Sequence, residues 1–159
     1  MANILHDSVT DGPGLRAVVF LQGCQNRCEG CHNPGLLDPG GGTEMTIEDV
    51  MSEIARNPLM TGVTFSGGEP MEQAEALIPV ARFLKECRYD LWIYTGRLWE
   101  ELDGAERDLA GLADVVVDGP FIFSRRTLSL PWRGSANQRL IDAQKSLNEG
   151  KAVEMAEDK

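Results

Sequence analysis

Short apolar runs alternate along the chain with segments in which apolar residues recur at helical spacing. Four runs rich in β-forming residues predict buried strands, at residues 16–21, 62–66, 90–94 and 115–117. Three segments predict helices: one from residue 47 to a stop at Asn57-Pro58, one over about residues 72–88, and one or two short helices within residues 97–112. Because strands that alternate with helices are typical of right-handed βαβ units, the pattern predicts a mostly parallel sheet.

The pattern weakens toward the carboxyl end of the chain. Residues 139–141 and 152–153 predict short edge strands, and the acidic residues 154–159 are expected to fray. Pro79 lies inside the second predicted helix, so this helix either starts late or kinks there. Cys87, near the end of the same helix, is interpreted as a half-buried helix residue.

The length of the chain limits the fold that these elements can form. With 159 residues the chain fits one domain, spanning residues 1–159, whereas a closed eight-stranded βα barrel takes about 250 residues. We therefore predict an α/β fold, an incomplete (partial) TIM-type βα barrel with a mostly parallel sheet and with Trp92, Trp99 and the helical leucines in its core. An open doubly wound sheet is the competing architecture.

Polar or glycine-rich segments follow each of the four predicted strands. Residues 22–43 lack periodicity and contain three cysteines, two prolines and a run of glycines, which predicts a long functional loop. The turns at residues 67–70, 94–96 and 118–119 follow the next three strands. Because parallel strands bring their carboxyl ends to one edge of a sheet, we expect these four segments to form one site.

Charge and composition exclude several classes of function. The chain has 25 acidic and 15 basic residues, a net charge of -10, and no basic stripe, so neither a nucleic acid nor an anionic membrane is an expected partner. The first residues lack the pattern of a signal peptide, and no apolar run approaches the roughly 18 residues of a membrane span. A cytoplasmic location is predicted, where four cysteines favour metal binding or catalysis over disulfides.

The crowded cysteines Cys24, Cys28 and Cys31 are the main chemical signal. Three thiolates on one short loop can hold one corner of a 4Fe–4S cluster and leave one iron open to bind a substrate. The alternative is a zinc site completed by His6 or His32. His32 directly follows Cys31, which is awkward on one tetrahedral ion, and zinc motifs usually pair cysteines in two separate knuckles. The spacing favours the iron–sulfur cluster, and zinc stays open.

Five motifs in their order along the chain resemble the radical-SAM activases of glycyl-radical enzymes. They are DGPGxR at residues 11–16, CxxxCxxC at 24–31, SGGEP at 66–70, VVDGPF at 116–121 and WRGSxNQR at 132–139. The last two, with the short length, resemble the branch that acts on the anaerobic ribonucleoside-triphosphate reductase. The resemblance covers residues 11–142 approximately, and the pairing of the cysteine loop with GGEP makes it specific.

The resemblance implies a set of site residues around a 4Fe–4S cluster and S-adenosylmethionine (SAM). Cys24, Cys28 and Cys31 would bind the cluster and carry the catalysis. The residues implied in SAM binding are Gly30, Cys31, His32, Gly67, Gly68, Glu69 and Thr95. Among these, Gly67, Gly68 and Glu69 correspond to the segment that holds the amino group of SAM. Thr95 would contact the ribose or the methionine carboxylate.

Further residues carry weaker implied roles, each beside a plain structural interpretation. Asp11, His32 and Arg133 would face the partner protein or the substrate, although a tight turn and surface loops explain them equally simply. Asp118 would lie near a monovalent cation, or it would cap a turn.

The implied activity is that of an enzyme, a radical-SAM oxidoreductase. A one-electron donor such as flavodoxin or ferredoxin reduces the cluster, and SAM is cleaved to methionine and a 5′-deoxyadenosyl radical. The radical then takes a hydrogen atom from a glycine of the anaerobic reductase. Two alternatives stay open: activation of another glycyl-radical enzyme such as pyruvate formate-lyase, and a metal-binding module without catalysis.

Overall fold

A computed structural model describes residues 3–8, 16–21, 47–54, 61–67, 69–120, 124 and 137–154. Within these residues six strands form one sheet, in which every strand neighbours the next one along the chain. The strands are β1 Asn3–Ser8, β2 Arg16–Leu21, β3 Gly62–Gly67, β4 Asp90–Tyr94, β5 Val115–Asp118 and β6 Arg139–Asp142. Strands β2 to β5 are parallel, and β1 and β6 are antiparallel at the two edges.

The helices lie side by side against this sheet. They are α1 Ile47–Ile54, α2 Ala74–Glu86, α3 Ala105–Leu112 and α4 Ala143–Glu149, with 3₁₀ turns at Pro70–Gln73 and Trp99–Glu101. Each helix contacts the next one, as expected for right-handed crossovers that all step in one direction. The order of the described strands has no reversal, which a doubly wound sheet requires. The predicted α/β fold with a mostly parallel sheet is confirmed.

Alternation along the strands separates two buried faces. One face packs against the helices through the side chains of Ala17, Val19, Leu21, Val63, Phe65, Leu91, Ile93 and Val116, which meet Leu77, Ala81, Leu84 and Leu109. The opposite face holds a smaller apolar cluster of Trp92, Val115, Val117 and Leu140. Trp92 and Trp99 are 2% and 4% exposed, so their assignment to the core is confirmed.

The predicted elements differ from the structure mainly at the two ends of the chain. Strand β1 was not predicted, and neither was α4. Residues 139–141 do lie in an edge strand, but residues 152–153 lead only to an isolated bridge between Ile141 and Glu154. Apolar periodicity does not reveal helix α4, because the residues that cap its two ends define it. Asp142 accepts a hydrogen bond from the N–H of Lys145 at 3.0 Å, and Gly150 ends the helix with φ of 71°.

Helix α2 begins at Ala74, later than predicted, because a 3₁₀ turn occupies Pro70–Gln73. Pro79 is nevertheless inside the helix, on its exposed side, where it can donate no hydrogen bond to the preceding turn. The prediction that Cys87 is half-buried is wrong. The helix ends one residue earlier, so Cys87 occupies the cap position and its side chain is exposed.

Across the described ranges, no helix combines the length and the apolar character that a membrane span needs.

Candidate cofactor-binding edge of the sheet

The strands that precede the cysteine loop and the GGEP turn end side by side. In the parallel ladder of β2 and β3, Leu21 is the register partner of Gly67, so the two strands end at the same level. Cys24 follows Leu21 by three residues. The loop itself and several other predicted site residues lie outside the described residues: Asp11, Cys24, Cys28, Gly30, Cys31, His32, Gly68 and Arg133.

Glu69 joins the turn after β3 to the turn after β4. Its side chain is fully buried, and one carboxylate oxygen accepts a hydrogen bond from the N–H of Gly96 at 2.7 Å. The other oxygen accepts from the N–H of Met71 at 3.1 Å and lies 2.8 Å from the hydroxyl of Thr95. We call the set of hydrogen bonds that Glu69 accepts from Met71, Thr95 and Gly96 the Glu69 bridge. It fixes two of the predicted site turns against each other.

Burial and hydrogen bonding shift the pKa of Glu69 in opposite directions. Burial raises the pKa of Glu69 above its ordinary value, because a charged carboxylate loses its hydration. The N–H groups of Met71 and Gly96, the hydroxyl of Thr95 and the nearby charge of Arg97 act in the opposite direction and lower the pKa. Met71, Thr95 and Gly96 each donate a hydrogen bond to Glu69, an arrangement that satisfies a carboxylate acceptor.

Thr95 extends the same connection to the next strand. Its backbone N–H donates to the carbonyl of Val117 at 2.9 Å, and its hydroxyl oxygen accepts from the N–H of Arg97 at 3.1 Å. Thr95 is 4% exposed, so this predicted cofactor residue lies at the base of the turn. The turn after β4 is therefore attached both to Glu69 and to β5.

Asp118, at the end of β5, is held by a guanidinium group. Its buried carboxylate accepts two hydrogen bonds from Arg139, one from Nε at 3.0 Å and one from Nη2, and a third from the N–H of Trp99 at 2.8 Å. Arg139 also bonds Glu100 at 2.7 Å. The hydrogen bonds to Asp118 and Glu100 raise the pKa of Arg139, and Arg139 lowers that of Glu100. Asp118 thus caps a turn and forms an ion pair, and its cation role stays a prediction.

The turn after Asp118 is fastened by the end of the WRGSxNQR motif. Asn137 donates to the carbonyl of Pro120 at 2.9 Å, and Gln138 donates to the carbonyl of Gly119 at 3.0 Å. Gly119 has φ of 100°, which favours glycine, and its N–H reaches the carbonyl of Arg97 at 3.0 Å. The expectation that the turns meet at one edge is confirmed for the three that the structure describes.

Sequence reasoning missed the partners that tie these turns together. Arg139 was singled out only as part of the WRGSxNQR motif, and the structure shows it as the ion-pair partner of Asp118. The sequence did offer a signal for this ion pair: Asp118 lies in the VVDGPF motif and Arg139 in the WRGSxNQR motif, and both motifs belong to the same resemblance. Trp99 was assigned to the core alone, yet its backbone N–H also orients Asp118.

Comparison with known families agrees with this arrangement. Residues 10–141 match the family described as 4Fe-4S single cluster domain, so the chain belongs to that family. Among similar proteins, the anaerobic ribonucleoside-triphosphate reductase-activating protein of Haemophilus influenzae is 38% identical over 140 residues. The match covers 82% of this chain and 89% of that protein.

Two further relatives extend the comparison. The protein of the same name from Escherichia coli K12 is 33% identical over 138 residues, covering 82% of this chain and 90% of the relative. A shorter match is the pyruvate formate-lyase-activating enzyme of Clostridium pasteurianum, 46% identical over 83 residues, 49% of this chain and 35% of that enzyme. The resemblance to activating enzymes of glycyl-radical enzymes, drawn from the motifs, is confirmed.

Proposed function

We propose that this protein is a radical-SAM activating enzyme that cleaves SAM at a 4Fe–4S cluster and generates a glycyl radical on the anaerobic ribonucleoside-triphosphate reductase. One observation carries the proposal. Register pairing of Leu21 with Gly67 starts the three-cysteine loop beside the GGEP turn, at the edge of the sheet where the Glu69 bridge lies. We therefore expect the cluster residues and the cofactor residues to share one edge.

The donor set fits a cluster with one open iron. Cys24, Cys28 and Cys31 would supply three thiolates, and the family match over residues 10–141 supports the same cofactor. When bound, the cluster and SAM supply reductive cleavage of a carbon–sulfur bond to give methionine and a 5′-deoxyadenosyl radical. The task of the chain is to hold both groups, to orient them and to exclude water and oxygen.

The remaining predicted residues take positions around that pair. Gly67 and Gly68 would approach the amino group of SAM through their backbone, since glycine allows close contact. Gly30 and His32 would lie near the adenine, and Thr95 would lie near the ribose or the methionine carboxylate. The residues proposed to face the partner or substrate are Asp11, His32 and Arg133. Asp118 is proposed beside a monovalent cation, which would compete with Arg139 for the same carboxylate.

The architecture that we propose is a partial TIM-type βα barrel formed as one domain over residues 1–159. Two features of the described sheet support it: strands in unbroken order, and burial of the face turned away from the helices. Val18 and Thr64 on that face are fully buried, as are side chains inside a barrel. The open side of such a partial barrel suits a partner whose own loop completes the site.

The proposed partner rests on the names and the lengths of the relatives. The reductase-activating proteins are matched over 89–90% of their length, whereas the lyase-activating enzyme is matched over 35%. Activation of pyruvate formate-lyase remains the second candidate because the identity in the shared 83 residues is 46%. We propose flavodoxin or ferredoxin as the electron donor.

Reconstitution under anaerobic conditions tests the activity. Protein loaded with iron and sulfide should release 5′-deoxyadenosine from SAM after dithionite reduction, and Cys24→Ala, Cys28→Ala or Cys31→Ala should lower the yield to background. Cys87→Ala is the matched control, since this exposed cysteine lies at the end of α2 and should leave the yield unchanged. Full turnover by any variant of the triplet would refute the proposal.

Presentation of both candidate partners tests the target. The reduced, SAM-loaded protein is incubated with the reductase and, separately, with pyruvate formate-lyase, and glycyl radicals are counted by electron paramagnetic resonance. We expect the signal on the reductase. A signal on the lyase alone would transfer the assignment to the second candidate, and zinc without any nucleoside product would point to a binding module.

A further inference from the structure

We propose that the carboxyl group of Glu69 acts inside the protein as a positioning group, through the Glu69 bridge, and does not itself bind the ammonium group of SAM. This inference rests on the proposed function, since it concerns how the SAM-binding turn is shaped. It changes the role of Glu69 from a ligand contact to the anchor of the turn that makes the contact.

The bridge occupies the oxygens that a ligand would need. One oxygen lies 2.7 Å from the N–H of Gly96, and the other lies 3.1 Å from the N–H of Met71 and 2.8 Å from the hydroxyl of Thr95. The whole side chain is fully buried. To reach either oxygen, a ligand ammonium group would have to enter this buried space and compete with the donors already there. The carboxyl group therefore serves bonds within the protein.

The position of the bridge determines what it holds. Gly67 is the last residue of β3 and pairs with Leu21, so the ladder fixes the chain on one side of Gly68. The bridge fixes the chain on the other side, at Glu69. Restraint of Gly67 and Glu69 before a ligand arrives lowers the entropy that the segment loses on binding. The bridge thus prepares the glycine turn before SAM arrives.

The bridge also couples two turns that bind different parts of the proposed ligand. Thr95 and Gly96 belong to the turn after β4 and follow Glu69 in the sequence by 26 and 27 residues. Loss of the carboxylate would release both turns at once. Loss of a contact made only to the ligand would release neither of them in protein without SAM.

Hydrogen exchange on cluster-loaded protein without SAM separates these roles. In the variant Glu69→Gln, one amide N–H group replaces an acceptor oxygen opposite the N–H donors, so at least one bond of the bridge is lost. We expect exchange of the Gly96 and Met71 amides to be about tenfold faster and the Kd for SAM to be about tenfold higher. Unchanged exchange would overturn the proposal, and so would faster exchange with unchanged affinity.

Variants of Thr95 keep the test informative should Glu69→Gln fold poorly. Thr95→Val removes the hydroxyl and should reproduce a smaller part of both changes, whereas Thr95→Ser keeps the hydroxyl and should restore them. In the double variant Glu69→Gln/Thr95→Val the changes should be less than additive. Fully additive changes, or a loss in Thr95→Ser equal to that in Thr95→Val, would argue against the bridge.

The failure of this inference is distinguishable from failure of the proposed function. If wild-type protein releases 5′-deoxyadenosine while Glu69→Gln leaves amide exchange unchanged, only the positioning role fails. If wild-type protein releases none, the proposed function fails, whatever the exchange of Gly96 shows.

Discussion

At each end of the parallel strands a buried charged side chain joins neighbouring segments, but Arg16 and Glu69 do so in opposite ways. At the amino end, Arg16 donates to the Thr64 hydroxyl at 2.9 Å, to the carboxylate of Asp90 at 2.8 Å, and to the carbonyls of Val63 and Asp90 at 3.0 Å. At the carboxyl end, the acceptor Glu69 collects N–H and O–H donors from two turns. A cation joins strands at one end, and an anion joins turns at the other.

The amino end of the strands supports the fold, whereas the carboxyl end carries the proposed site. The guanidinium of Arg16 is fully buried, lies 5.6 Å from the ring centre of Trp92 and fills the space above Gly62, so the amino end is closed. At the carboxyl end, the hydrogen bonds fix the bases of the turns that we propose to bind the ligand. This division agrees with the usual placement of active sites in βα folds. Changes at the amino end should therefore reduce stability, and changes at the carboxyl end should mainly alter binding.

Replacement of Arg16 should have the largest effect on stability. In Arg16→Met, the buried acceptors on Thr64, Val63 and Asp90 lose their donor, which should lower the free energy of unfolding by about 3 kcal/mol or more. Urea unfolding followed by circular dichroism measures the change. Arg82→Met is the control, because Arg82 is exposed on α2 and should change stability by less than about 0.5 kcal/mol. Equal effects would break the comparison.

Gly62→Ala tests the closed packing at the same end. A Cβ at Gly62 would lie 2.5 Å from Nη1 and 2.6 Å from Cζ of Arg16, whose hydrogen bonds prevent it from moving aside. The free energy of unfolding should fall by about 1–3 kcal/mol. Gly111→Ala is the matched control, since its Cβ would meet only Leu147 at 3.4 Å and helix α3 gains from alanine. A variant Gly62→Ala as stable as this control would contradict the packing.

The ion pair at the carboxyl end should matter less. Asp118→Asn weakens the hydrogen bonds from Arg139 and Trp99, and because Arg139 is 28% exposed we expect a loss of only about 1–2 kcal/mol in unfolding free energy. Glu100→Gln removes the exposed partner of the same arginine and should cost less than about 0.5 kcal/mol. Chemical denaturation of the two variants side by side gives the comparison. A larger loss in Glu100→Gln would invert the expected order.

The pH dependence of Glu69 should give the smallest change. Burial raises its folded-state pKa above the ordinary 4.5, so the folded protein binds the proton more tightly than the unfolded chain. The associated stability is complete below pH 4.5 and is lost as the pH rises through the folded-state pKa. Glu69→Gln should therefore gain stability relative to wild type as the pH rises from 4.5, as measured by urea unfolding at several pH values.

Two charged neighbours affect that measurement. The positive charge of Arg97 lowers the pKa of Glu69 in the wild-type protein. Glu100, whose pKa is lowered by Arg139, destabilises the protein at low pH in wild type and variant alike, so it cancels in the difference. A relative stability that falls with pH would mean that the hydrogen bonds of the Glu69 bridge outweigh its burial.

The sequence predicted elements whose signal is local and missed those defined by partners far along the chain. Strands β2 to β5 are runs of β-branched and aromatic residues, and burial on both faces makes such runs visible. Helix α4 has few apolar residues and is set by the cap at Asp142, so periodicity does not reveal it. Strand β1 precedes the recognisable motifs and has a short, mixed sequence.

The candidate site divides in the same way. The pattern of parallel strands predicted that the turns of Gly67, Thr95 and Asp118 lie at one edge, because parallel strands all end at the same edge of a sheet. Their bonding was not predictable, since Glu69 and Gly96 are 27 positions apart and Asp118 and Arg139 are 21 apart. The positions of Glu69 and Arg16 follow from packing in three dimensions, which a single sequence does not encode locally.

The unbroken order of the strands has a consequence for synthesis of the chain. From β2 onward, every strand that the structure describes pairs with the one made immediately before it, so each new strand that leaves the ribosome meets a finished edge. The sheet can grow in one direction while translation continues, without waiting for a distant segment. Strand β6 pairs antiparallel with β5 and joins this edge after the parallel strands are in place.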